Sequence, residues 1–95
     1  MDELEAKRLL EKQLAPYRAR SYSELARQVG ANYAFETVAP SGIEYNVEIT
    51  VMWDSPRDKV NVRVLGAVHD GRWPRWFHPL SDSFILAPDG TFVGE

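Results

Sequence analysis

Ile43-Glu44-Tyr45-Asn46-Val47-Glu48-Ile49-Thr50-Val51-Met52-Trp53 alternates in side-chain character: Ile43, Tyr45, Val47, Ile49, Val51 and Trp53 fall on one parity, Glu44, Asn46, Glu48, Thr50 and Met52 on the other. Successive side chains of a strand point to opposite faces, so this stretch reads as a strand with one face in a core and one in water. That alternation is the mark of an antiparallel sheet covered on a single side. At about 3.3 Å per residue the strand reaches roughly 36 Å, long enough to twist and curve around whatever covers it.

Reading outward toward the C-terminus, Val60, Val62, Val64 and Val68 share one face of a following strand, with Asn61, Arg63 and Leu65 on the other. Asp54-Ser55-Pro56-Arg57 between the two reads as a four-residue hairpin loop. That loop pairs Val51 with Val60 and Ile49 with Val62, and it sets Glu48 opposite Arg63, a favourable cross-strand pair. Toward the N-terminus, Asn32–Val38 forms an earlier strand before the turn Ala39-Pro40-Ser41-Gly42. A four-residue connection would bury Glu36 beside Tyr45. A five-residue connection buries Tyr33, Phe35 and Thr37 and sets Glu36 opposite Glu44. The second is preferred, because an exposed like-charge pair costs less than an unpaired buried carboxylate. Ser83–Ala87, the turn Pro88-Asp89-Gly90 and Thr91–Val93 supply a last strand and a short terminal hairpin arm.

Residues 1–30 change the period from two to 3.6. Ala6, Leu10 and Leu14 recur every four residues, with Leu9, Gln13 and Tyr17 beside them, over a helix expected from Asp2 to Leu14. Asp2, Glu3 and Glu5 complement its positive end, and Pro16 disfavours helical geometry at Ala15, where the helix should stop or kink. Ser21-Tyr22-Ser23-Glu24 fits a capping box opening a second helix over Tyr22–Val29, closed by Gly30 in the left-handed region. The expected fold is α+β: two N-terminal helices packed on one face of a curved antiparallel sheet of four or five strands, a two-layer sandwich spanning residues 1–95 as a single domain.

Composition bounds what such a domain can do. Its 95 residues contain no cysteine, so a disulfide framework, a thiol nucleophile and a thiolate metal site are excluded. No apolar run approaches the roughly 18 residues of a spanning helix, and no signal peptide is recognised at the start. Absence of cysteine points to a reducing cytoplasm. Eleven Lys and Arg against 14 Asp and Glu give a net charge of −3, which disfavours a dedicated nucleic-acid binder. The basic-aromatic run Tyr17-Arg18-Ala19-Arg20-Ser21-Tyr22 does not reverse this, since residues 1–30 carry six basic and five acidic groups. Ser23–Gly30 resembles the first helix of a helix-turn-helix, but a strand follows where a recognition helix would be needed.

The densest concentration of polar and aromatic chemistry is the segment 69–82, with both histidines, two tryptophans and two arginines. A connection that long tends to be functional, and Trp and Arg are the residues most enriched at interface hot spots. Arg72, Trp73, Arg75, Trp76, Phe77 and His78 are therefore candidate binding residues. The same rings, folded inward, would instead seal the open edge of the core. His69, Asp70, His78 and Asp82 are residue types for acid-base or zinc chemistry, but their spacing fits no metal motif, and neither a metal nor a cofactor is expected. No serine sits in a Gly-x-Ser-x-Gly elbow, and the glycines lie dispersed rather than in a phosphate loop.

Three functions follow in order. The first is a non-catalytic module binding a protein or peptide through the loop 69–82, with sheet edges available to recruit a strand. The second is a small-molecule binder or modest enzyme, with a pocket between curved sheet and helix lined by Tyr33, Tyr45, Trp53 and His69. The third is a self-associating structural protein, a homodimer burying Met52 and Leu65 of the outer sheet face.

Overall fold

The computed structural model describes residues 2–71 and 79–95. Along the chain run α1 (Glu3–Arg18), α2 (Tyr22–Arg27), β1 (Asn32–Val38), β2 (Glu44–Trp53), β3 (Val62–His69) and β4 (Leu80–Leu86). The four strands form one antiparallel sheet in the order β1-β2-β3-β4, each beside its neighbour in sequence. Both helices pack on one face of it, giving the two-layer α+β architecture.

The alternation in β2 is realised from Glu44 to Val51, with Tyr45, Val47, Ile49 and Val51 buried and Glu44 and Glu48 exposed, and it fades at Met52 and Trp53, both half-buried. Opposite them Val62, Val64 and Val68 of β3 line the same face, and Ala6, Leu10, Leu14 and Leu25 come down from the helices. Helix α1 crosses above β3 and β4 and touches β2 only marginally. What lets it approach is Gly66 in mid-strand. A Cβ there would lie 2.6 Å from Leu10 Cδ1 and 3.1 Å from Leu14 Cδ2. This glycine is a packing device rather than a turn residue.

Several expectations about boundaries and register are corrected. Helix α1 runs a turn past Leu14 and carries Pro16 inside it. The proline is exposed, the Ala19 amide still reaches the Ala15 carbonyl (3.2 Å), and the last turn is tied down by Arg18. The Arg18 guanidinium lies 4.8 Å from the Phe84 ring centroid and 5.5 Å from that of Phe92, and it pairs with Glu95 at 3.1 Å. Those tertiary contacts outweigh the local bias against helix before proline. Helix α2 ends at Arg27, earlier than Val29, and Gly30 then takes a φ of 97° as expected. Ser21 caps it by accepting from the Glu24 amide (3.2 Å), while the Glu24 carboxylate accepts from the Ser21 hydroxyl instead of reaching a backbone amide.

The β2–β3 connection is longer than the expected four residues: Trp53 pairs with Val62, and residues 54–61 form the loop. Val51 therefore faces Val64, Ile49 faces Gly66 and Glu48 faces Ala67. Arg63 faces Met52 and turns its guanidinium onto Asp54 Oδ1 at 2.8 Å rather than meeting Glu48. Val60 stands outside the sheet, its carbonyl accepting from the Tyr22 hydroxyl at 2.6 Å. A slip of four residues keeps every side chain on its face, so alternation could not distinguish the two registers.

For β1 the five-residue connection is correct, and Val38 pairs with Glu44. Glu36 consequently faces Asn46, not Glu44. Tyr33 and Phe35 lie on the helix-covered side as expected, yet they are not buried: 44% and 39% of their surface is exposed. A helix is only about 10–12 Å wide and strands are about 4.8 Å apart, so α1 centred over β3 and β4 leaves β1 uncovered.

Candidate functional site

The sheet has two edges, and they are finished differently. Beside β4 the terminal arm folds back: Leu86 bridges Phe92, the Val93 amide reaches the Ile85 carbonyl (2.9 Å), and Ala87 reaches Thr91 (2.9 Å). Pro79 and Pro88 flank this strand, and the exposed Asp82 stands on its inward side, opposite Gly66. Flanking prolines, an inward charge and a covering arm are devices that stop an edge from recruiting another strand. Along β1 the described residues supply neither an inward charge nor a covering arm, and a proline flanks one end only, Pro40. Between Ala31 and Ile43 the sole charged side chain is Glu36, on the outer face opposite Asn46.

The backbone pattern identifies which groups of β1 face outward. Ala39 donates to the Ile43 carbonyl (2.9 Å) and Val51 donates to the Ala31 carbonyl (3.0 Å), so residues of odd number in this strand bond to β2. Asn32, Ala34, Glu36 and Val38 then direct their amide and carbonyl groups to the free side. The side chains of Tyr33 and Phe35 stand next to that row on the inner face. Among the described residues a half-exposed aromatic pair thus lies beside a backbone edge with no strand on it, the kind of edge along which strands can add.

The N-terminal half of α1 and the end of β1 enclose a groove of about 470 Å³. Leu4, Arg8, Leu9 and Lys12 line it from the helix and Thr37 to Pro40 from the sheet. Its inner wall is fixed by Glu5, whose Oε1 accepts from the Ser41 hydroxyl (2.6 Å) and from the Tyr45 hydroxyl (3.0 Å). Burial, then the hydrogen bond and the charge of Glu5, hold the Tyr45 hydroxyl above its ordinary pKa of 10.0. A raised folded-state value means that stability is complete below about pH 10 and is lost as pH climbs from there through the folded value. Tyr45→Phe should cost about 1–2 kcal/mol near neutrality, from the lost hydrogen bond to a carboxylate, and should flatten the alkaline fall. Urea denaturation at pH 7 and above pH 10 measures both, and equal slopes for parent and variant would contradict the assignment.

The four residues expected around a pocket mouth do not converge. Tyr45 is fully buried, Tyr33 is exposed on β1, and Trp53 ends β2 eight residues from Tyr45, about 26 Å along the strand. His69 lies on the opposite face, paired with Asn46, its Nδ1 accepting from the Gly71 amide at 3.2 Å. There it borders a shallow hollow of about 500 Å³ with Ala34, Glu36, Glu48 and Pro79. Arg72, Trp73, Arg75, Trp76, Phe77 and His78 lie outside the described residues. Among the described residues no three His, Asp or Glu side chains gather as metal ligands. No described helix is long and apolar enough to cross a membrane. The arginines of the basic-aromatic run are engaged internally: Arg18 as above, and Arg20 over the Tyr17 ring (4.3 Å) and on Gln28 Oε1 (2.8 Å).

Comparison with known proteins found no matching family, no matching curated protein and no matching solved structure. The site therefore rests on its own geometry.

Proposed function

We propose that this protein is a non-catalytic interaction module that takes a polypeptide partner along the β1 edge, in a reducing cytosol. The observation that carries the reading is the contrast between the two sheet edges among the described residues: β4 is covered by the arm at residues 85–87 and carries an inward charge, and β1 has neither beside Tyr33 and Phe35. An added strand gains affinity from main-chain hydrogen bonds and specificity from pockets for alternate side chains. Here the outward groups of Asn32, Ala34, Glu36 and Val38 supply the first, and the aromatic strip supplies the second. The aromatic-arginine segment 69–82 is a second candidate surface, and unchanged partner binding by Trp76→Ala and Arg75→Ala would remove it.

The test is selection of peptides from a random library on the folded protein, followed by NMR titration. Selected peptides should alternate apolar and polar residues and should shift the amides of Asn32, Ala34, Glu36 and Val38, with Phe35→Lys abolishing the shifts. Peptides that instead perturb β4 or the hollow around His69 would overturn the assignment.

A further inference from the structure

We propose that β1 pairs antiparallel with β1 of a second copy, about a two-fold axis through Phe35, joining two four-stranded sheets into one of eight. This rests on the reading of β1 as the interaction edge and names its occupant.

Three features fit a second copy and fix its register. First, the outward backbone groups belong to Asn32, Ala34, Glu36 and Val38, all even-numbered, so residues that exchange hydrogen bonds across the new seam must sum to an even number. A centre at Phe35 satisfies this. Asn32 then faces Val38 of the second copy and Ala34 faces Glu36, each pair exchanging two bonds. Second, the charges agree. Glu36, the single charged residue of the strand, meets an alanine. Slipping by two residues in one direction would set Glu36 against Glu36, and slipping the other way would shorten the overlap from seven residues to five. Third, on the inner face Phe35 meets Phe35 in a non-hydrogen-bonded pair, the closer of the two antiparallel pair types, and Tyr33 meets Thr37. The axis stands perpendicular to the sheet, so both helices remain on one side and the half-exposed aromatics share a common floor. Such an interface is isologous and closes at two copies, since each chain contributes the same strand and pairing uses up its outward groups.

The experiment is sedimentation equilibrium of the full chain from dilute to millimolar concentration. The expected result is a reversible monomer–dimer equilibrium. Ala34→Pro removes an amide that faces outward and spares the bonds to β2, so it should yield a folded monomer. Ala34→Glu places like charges across both Ala34–Glu36 pairs and should weaken the dimer on the order of tenfold. Adding Glu36→Lys to Ala34→Glu turns those contacts into opposite-charge pairs and should restore it, a rescue specific to this register. A parent chain that stays monomeric throughout would overturn the dimer while leaving peptide capture at β1 intact. A dimer indifferent to all three variants would place self-association elsewhere and overturn the proposal too.

Discussion

Gly66→Val should destabilise the fold by about 3 kcal/mol, lowering the thermal midpoint by roughly 10–20 °C. The strand around Gly66 gains from side chains, and replacing glycine in a strand is ordinarily favourable by roughly 0.5–1 kcal/mol. Here the added atoms have no room. The Cβ alone would stand 2.6 Å from Leu10 Cδ1 and between 3.1 and 3.4 Å from the two Leu14 methyls. Both leucines are about 1% exposed and enclosed by the core, so neither can swing into solvent. The helix must then lift from β3, separating the layers that Ala6, Leu10 and Leu14 hold together. Gly66→Ala should show the same sign at about 1–2 kcal/mol. Combining Gly66→Ala with Leu10→Ala should cost less than the sum of the two, because the methyl enters the space that the leucine vacates. Strict additivity in urea denaturation would show that the two positions do not compete for one volume.

Phe84→Ala should be of similar or larger effect, about 3–5 kcal/mol. Its ring is 3% exposed and joins three parts of the chain: the sheet through β4, the end of α1 through Arg18, and the terminal arm through Phe92, edge-on at a centroid distance of 5.7 Å. Removing it leaves Arg18 without its main aromatic partner, so the turn of helix after Pro16 loses what holds it. Amide exchange of residues 17–19 and 91–93 should then rise together. Faster exchange of the arm with an unchanged helix end would contradict the link between them. The wider consequence is for the C-terminal end of the β4 edge, where the arm covers residues 85–87. Loss of the arm would expose that end to pairing with another strand.

The fold was legible because its decisive signals are periodic. Ala6, Leu10 and Leu14 mark the buried stripe of α1, and the alternation through β2 marks which sheet face it covers. The strand boundaries of β1 and the turn at Gly30 followed from turn chemistry alone. Register between β2 and β3 did not follow, because a shift of four preserves the faces and only the loop length distinguishes the alternatives. The extra helical turn at Pro16 depends on Arg18, Phe84, Phe92 and Glu95, partners up to 77 residues away that no local rule contains. The exposure of Tyr33 and Phe35 depends on where α1 lies across the sheet, a lateral offset that side-chain period does not encode. A signal for the candidate site was nevertheless present. A strand with two aromatic rings, one charge and neither lysine nor proline lacks the usual guards of an edge. The segment 69–82 stands out by residue type alone, and its central residues, 72–78, lie outside the described residues.

If the backbone of β1 faces solvent on one side in the isolated chain, residue-resolved amide exchange at high dilution should be fast at Asn32, Ala34, Glu36 and Val38 and slow at Tyr33, Phe35 and Thr37 between them. The first set should become protected as concentration or peptide is raised. Slow exchange at all seven amides in the most dilute sample would mean that the chain already covers this edge itself, and β1 would not be an open edge.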